Sequence, residues 1–174
     1  KSNTPSALMV RSKHPNEGKS LTSANLAIVM ALDNKKTVYI DCDLRRPDGQ
    51  FIFGVSIRKG VTSYLEGYST VKEIVMGTHI PNLSVIVAGI IPPNPTELLS
   101  SKRMDQLIHE LKKEYEYIII DSPPMVVSDS LALANKVDGC VFVVNAQRSK
   151  RDEVTDGIQQ LQQVQTEILG IVLN

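Results

Sequence analysis

Tryptophan is absent from this chain, phenylalanine occurs three times, and cysteine twice, in 174 residues. So few large aromatics argue against a surface that stacks the bases of a nucleic acid. Cys42 and Cys140 stand alone, with neither metal nor redox spacing, as expected in a reducing compartment. His14, His79 and His109 share no spacing with one another, so they predict no metal site. Excess charge of either sign is also missing. Nineteen basic residues balance nineteen acidic ones, leaving no net field to attract nucleic acid or an anionic membrane. The longest apolar run, Leu26 to Leu32, falls far short of the roughly 20 residues that span a bilayer. No signal peptide is visible.

What is present is an ordinary globular composition, 42% hydrophobic and 22% charged, at a length that suits about one domain. Short apolar runs predict strands at Ala7–Val10, Thr37–Ile40, Leu83–Val87, Tyr117–Ile120, Cys140–Val144 and Ile168–Leu173. They are rich in Val and Ile on successive positions, as in strands buried on both faces. Helical patterns fall between them, at Leu21–Leu32, Thr96–Glu114, Asp129–Asn135 and Lys150–Val164. Met104, Leu107, Ile108 and Leu111 recur at i, i+3, i+4, i+7 and predict one buried stripe. Val154, Ile158 and Leu161 do the same in the last helix. This alternation predicts a single α/β domain over residues 1–174, a parallel sheet with helices on both faces. A start at lysine and a stop straight after a strand-like run are what an excised domain shows.

Ligands of such sheets bind at the carboxyl ends of the strands. Three strand ends carry polar chemistry. After the first strand, Ser12 to Thr22 reads SKHPNEGKSLT. Gly18-Lys19-Ser20 is the second half of the phosphate-binding pattern G-x-x-x-x-G-K-[ST], with Lys13 where the first glycine belongs. Backbone N–H groups at the helix start would bind phosphate oxygens, Lys19 would reach the β/γ phosphates, and Ser20 would ligate magnesium. Asn16 replaces a common glycine, a residue type that tolerates positive φ. The plain alternative is a glycine turn with an exposed lysine and a serine cap. The second end, Val38 to Pro47, carries Asp41 and Asp43, which alternation places on one side with Cys42 on the other. Two carboxylates at a strand mouth repel unless a cation justifies them, and magnesium is the natural one. A turn capped by aspartates is the alternative. The third end, Tyr117 to Pro124, delivers Asp121 to the same edge before Pro123-Pro124 stops the strand.

In this order the motifs resemble those of the bacterial tyrosine autokinases of capsule and exopolysaccharide operons, within the Min/Par group of P-loop ATPases. The likeness runs through Pro15 with Glu17 to Ser20, Ile40 to Arg45, Pro92 to Leu99, Ile120 to Pro124 and Gly170 to Asn174. Members of that family lack the first loop glycine, and His14 stands where the partitioning relatives carry a signature lysine. The resemblance implies an ATP- and magnesium-dependent protein-tyrosine kinase. Its nucleotide site would comprise Asn16, Glu17, Gly18, Lys19, Ser20 and Leu21, with Asn174 at the adenine edge or simply ending a strand. Lys19, Asp41 and Asp43 would be catalytic; Ser20, Asp41, Asp43 and Asp121 would hold magnesium. It further implies a membrane activator, tyrosine-rich tails of sister subunits as acceptors, a homo-oligomer when complete, no nucleic acid, and a cytoplasmic place at the inner face of the membrane. A nucleotide-dependent switch ATPase that phosphorylates no protein shares all these motifs and stays open. Asn94-Pro95-Thr96-Glu97 reads as a capped helix start, with Asn at the N-cap and Glu in a capping box, more than as a catalytic element. Gln147 to Glu153 reads as a solvated loop and helix start, or as a subunit contact.

Overall fold

The structure, a computed structural model, describes residues 6–56, 59–125, 128–163 and 166–174. Chain order runs β1 (Ala7–Ser12), α1 (Lys19–Leu32), β2 (Thr37–Asp41), α2 (Gly49–Phe53), α3 (Val61–Leu65), α4 (Val71–Ile74), β3 (Met76–Gly77) and β4 (Leu83–Ile86). It continues with α5 (Pro95–Ser100), α6 (Lys102–Leu111), β5 (Tyr117–Asp121), α7 (Asp129–Ala134), β6 (Gly139–Val144), α8 (Arg151–Gln163) and β7 (Ile168–Leu173). The strands form one sheet in the order β3-β4-β2-β5-β1-β6-β7. Every pairing is parallel except β3 with β4.

The central strands are apolar on successive positions because each face meets a core. Met9, Ile40 and Ile120 enter one core with the α6 stripe, while Val10, Tyr39 and Ile119 enter the other beneath α1. Helix α1 reaches the sheet through Ala24, Ala27 and Ala31, each at most 1% exposed. Alanine's small side chain lets the helix lie close, which keeps its N-terminus tight against the strand ends. On the other side Met104, Leu107, Ile108 and Leu111 are buried as the spacing predicts. Each buries a side chain worth about 1.5–3 kcal/mol in transfer free energy.

Four expectations need correction. The last strand is not buried on both faces: β7 lies at the sheet edge, pairs with β6 alone, and leaves Ile171 and Leu173 51% and 72% exposed. The helix expected over Thr96–Glu114 breaks at Ser101, whose extended backbone (ψ 157°) separates α5 from α6 and whose hydroxyl donates to Leu98 O at 2.6 Å. Asn94 stands at the N-cap with Pro95 next, but no capping box forms. Its side-chain amide instead donates to the Glu97 carboxylate at 2.8 Å. Finally, α2, α3, α4 and β3 went unread, being too short to show a period. The expected helix end at Val164 lies outside the described residues.

The topology brings β1, β5 and β2 side by side, with Val10 and Asp41 both in register with Asp121. The three polar strand ends therefore meet. Leu107→Ala, at a position with no exposed surface, should cost about 2–5 kcal/mol. Urea denaturation would read it as a lower midpoint at unchanged slope, whereas Val29→Ala, 61% exposed, should stay within about 0.5 kcal/mol.

Candidate active site

The loop after β1 is shaped by two left-handed residues, Asn16 at φ 62° and Gly18 at φ 87°. Asn16 thus adopts the conformation that its glycine substitute must reach. Gly18 is the N-cap of α1, and no side chain caps that helix. The serine-capped turn with an exposed lysine is ruled out, because Lys19 is buried to 7% exposure. A Cβ at Gly18 would fall 1.9 Å from Asn174 Nδ2, which would have to move, and the left-handed φ would strain any other residue there. Uncapped amides at a helix start, with the positive end of the helix dipole behind them, make an anion site.

Lys19 Nζ lies 2.5 Å from Asp121 Oδ1 and 3.3 Å from Ser20 Oγ. Asp121, fully buried, also accepts from Ser23 Oγ at 3.2 Å and Tyr39 OH at 3.1 Å. Lys19, Ser23 and Ala27 share one helix face, so the turn spacing itself aims Lys19 and Ser23 at the strand. Asp41 is also sealed; its two oxygens accept the backbone amides of Asp43 at 3.1 Å and Gly49 at 2.8 Å. Gly49 permits this approach, since a Cβ there would sit 2.9 Å from Asp41 Oδ2. Asp43, 8% exposed, accepts from Arg46 N at 3.1 Å. Cys42 packs into the core with Ile40, as alternation requires.

A cleft of about 640 Å³ opens over these groups. Asn16, Gly18, Lys19, Ser20, Leu21 and Asp43 line it, with Arg45, Phe51 and Ile52 further out. Asp41 and Asp121 lie beneath rather than in its wall. Glu17, expected beside the nucleotide, is 2% exposed and turned inward: its carboxylate accepts His14 N at 2.8 Å and the Ser149 hydroxyl. It braces the loop, leaving its backbone for a ligand. Ser149 belongs to the stretch read as a solvated loop or a contact, and His14 Nε2 lies 3.3 Å from Glu153 Oε2 of the same stretch. Asn174 Nδ2 donates to Glu17 O at 3.1 Å, tying the end of β7 to the same loop.

Among the buried groups one ammonium faces three acids here, while Arg45 and Arg46 stand in the cleft wall. Burial, and then the Asp121 charge, push Asp41 up to about 8. Burial likewise raises Asp43. Among the described residues no three carboxylate, His or Cys groups close into a metal cage. Ser20 and the carboxylates are nonetheless hard oxygen donors with unbalanced charge. They fit magnesium, which keeps several waters and takes phosphate oxygens.

A family model described as AAA domain matches residues 11–170. Tyrosine-protein kinase YwqD of Bacillus subtilis is 37% identical over 169 residues, covering 97% of this chain and 71% of that protein. Tyrosine-protein kinase CpsD of Streptococcus agalactiae serotype III is 39% identical over 170 residues, covering 96% and 73%. The chain belongs to the bacterial tyrosine-kinase family. The solved kinase domain of Escherichia coli tyrosine kinase ETK superposes with TM-score 0.94 at 33% identity, covering 100% of this chain and 68% of that one. The family fold is thus a nucleotide-binding P-loop domain, and among the described residues no helix is long and apolar enough to cross a membrane.

In this kinase-family domain the site and its surroundings also draw on Ser23, Tyr39, Thr96 and Asp129, to which the sequence assigns no role in the site. Tyr39 was detectable, since it alternates with Asp41 on one strand face. Ser23 lies one turn beyond Lys19. Thr96 stands in the Pro92–Leu99 segment that carries the family likeness, but its contact with Asp129 has no local signal, because the two are remote in the chain.

The raised Asp41 group predicts a pH effect. The folded domain keeps a proton on Asp41 that the unfolded chain, near the ordinary 3.8, has released. Stability without nucleotide and metal should therefore fall as pH rises from about 4 to 8. Melting temperatures of wild type and Asp41→Asn across that window should diverge, the variant losing less.

Proposed function

We propose that this domain is an ATP- and magnesium-dependent protein-tyrosine kinase. The observation that carries the reading is the contrast among the three aspartates: Asp121 and Asp41 are sealed and bonded, while Asp43 opens on the cleft beside Lys19. Lys19 and the loop amides bind the phosphates and orient the γ-phosphoryl group. Asp41 holds the two ends of the following loop through Asp43 N and Gly49 N. Asp43, raised by burial toward the working range of a base, accepts the phenolic proton, whose ordinary pKa is near 10. The tyrosine oxygen forms a bond to the γ-phosphorus as the bond to the β–γ bridging oxygen breaks, releasing ADP. Magnesium would be held by Ser20 and Asp43, with Asp41 and Asp121 beneath them as the neighbouring negative groups, and would supply charge neutralisation at the phosphates.

Asn174, which follows β7 and donates to Glu17 O of the loop, is assigned to the adenine edge on the family resemblance. The family resemblance supports a role in capsular or exopolysaccharide synthesis, with a membrane activator at the inner face of the cell membrane. It also supports acceptor tyrosines on the tails of sister subunits, with a homo-oligomer and no nucleic acid. A switch ATPase would use the same loop and lysine, and the relatives' names, tyrosine-protein kinases, favour transfer to tyrosine.

Transfer of labelled γ-phosphate to a tyrosine-rich peptide, with an activating segment supplied, tests this. Asp43→Ala should lower transfer at least about 100-fold, the scale of general-base catalysis, while keeping the ADP affinity measured without magnesium. Lys19→Met should lose nucleotide binding by calorimetry. ATP hydrolysis by the wild type without any phosphotyrosine would replace the kinase by the switch.

A further inference from the structure

Two motifs remain unused by this chemistry: the Asn94-Pro95-Thr96-Glu97 helix start and the residues that follow the Asp121 turn. They meet at Asp129. Its carboxylate, at the start of α7, has no exposed surface and is held from two sides. Arg45 donates to it through Nε at 2.6 Å and Nη2 at 3.2 Å, and the Thr96 hydroxyl donates to Oδ1. Thr96 Oγ1 also lies 3.3 Å from Ser128 Oγ.

Each partner belongs to a different segment around the cleft. Arg45 stands two positions after Asp43, Asp129 follows the β5 turn that begins at Asp121, and Thr96 is in the first turn of α5. Between Asp41 and α2 the chain has neither helix nor strand. Cys42 N donates to Asp121 O at 2.9 Å, which anchors the start of that loop. Asp41 and Asp43 then bond Gly49 N and Arg46 N, which sets the loop's internal shape. Among the described residues, the Arg45–Asp129 pair is the side-chain ion pair that joins this loop to the β5 side.

The pair is asymmetric. The Arg45 side chain is 46% exposed and lines the cleft, whereas Asp129 is sealed. Half-exposed pairs add little stability, but a two-point guanidinium–carboxylate contact fixes orientation as well as distance. Burial works against the Asp129 charge, yet the Arg45 and Thr96 hydrogen bonds outweigh it and hold the group below its ordinary value.

We propose that Arg45, Asp129 and Thr96 form a latch that fixes the Asp43 loop against the starts of α7 and α5. These are positioning residues, and their effect on transfer rests on the kinase reading. The latch itself does not. Thr96 serves as the third arm: its hydroxyl secures the Asp129 carboxylate so that both oxygens stay presented to Arg45.

Amide hydrogen exchange on the intact protein, alone and with ADP and magnesium, tests the latch without requiring catalysis. Thr96→Val removes the hydroxyl at nearly constant volume, Thr96→Ser keeps it, and Arg45→Lys replaces two contact points with one. Exchange at residues 43–48 should rise about ten-fold in Thr96→Val, the scale of one hydrogen bond to a charged group, and less in Arg45→Lys. Thr96→Ser should match wild type, and β1, β2 and β5 should be unchanged throughout. Where the wild type transfers phosphate, Thr96→Val should lower kcat several-fold with ADP affinity intact. Wild-type exchange at 43–48 in Thr96→Val and Arg45→Lys would overturn the latch. So would a rise spread over all strands that Thr96→Ser fails to cure, the mark of a merely structural role. If the wild type transfers nothing to tyrosine, the kinase reading fails and the exchange pattern still decides the latch.

Discussion

The charge imbalance around Lys19 governs this domain. A single ammonium is set among Asp41, Asp43 and Asp121 at the ends of adjacent strands, where water is largely excluded. A buried charge left unpaired costs several kcal/mol, so these groups must compensate one another. Asp121 succeeds, with Lys19, Ser23 and Tyr39 all donating to it. Asp41 manages by taking two backbone amides and keeping a proton. Without nucleotide, Lys19 serves as the internal counter-ion. Under the proposed function, phosphates that drew it away would leave an acidic surface suited to a divalent cation.

Holding this arrangement falls to unobtrusive parts of the chain. The alanines of α1 let the helix lie close enough for Lys19 and Ser23 to reach Asp121. Gly49 has no side chain to block the Asp41 carboxylate, and Gly18 yields space to Asn174. Glu17 fastens the phosphate loop to His14 N and to Ser149, so a carboxylate that would oppose phosphate is turned into a brace. Asp129 acts similarly at the start of α7, gathering Arg45 and Thr96. The loops around the cleft are therefore shaped by carboxylates facing inward, while Asp43, beside Lys19, and the exposed Asp48 line the cleft itself.

Most of the sheet was legible because buried parallel strands announce themselves as apolar runs, and the strand ends were legible because aspartates there have no packing reason to exist. The unread elements were short: α2, α3, α4 and β3 offer too few residues for any period to emerge. Ser101 looked compatible with a continuous helix, and only its extended backbone divides α5 from α6. Ile171 and Leu173 looked like core residues because apolarity does not reveal whether a strand is central or at an edge.

Local chemistry in the sequence determined the strand–loop–helix context of Lys19, the positive φ tolerated at Asn16, and the alternation that separates Asp41 and Asp43 from Cys42. These depend on neighbours within a few positions, where backbone sterics and side-chain periodicity act. Tertiary structure alone decided which aspartate is sealed and which is open, why Glu17 turns inward, and that Arg45, Thr96 and Asp129 meet. Those outcomes depend on the strand order, which sets β5 between β2 and β1 and converts separations of many residues into hydrogen-bond distances. Burial and partnership belong to a position in space, and no stretch of sequence carries them by itself.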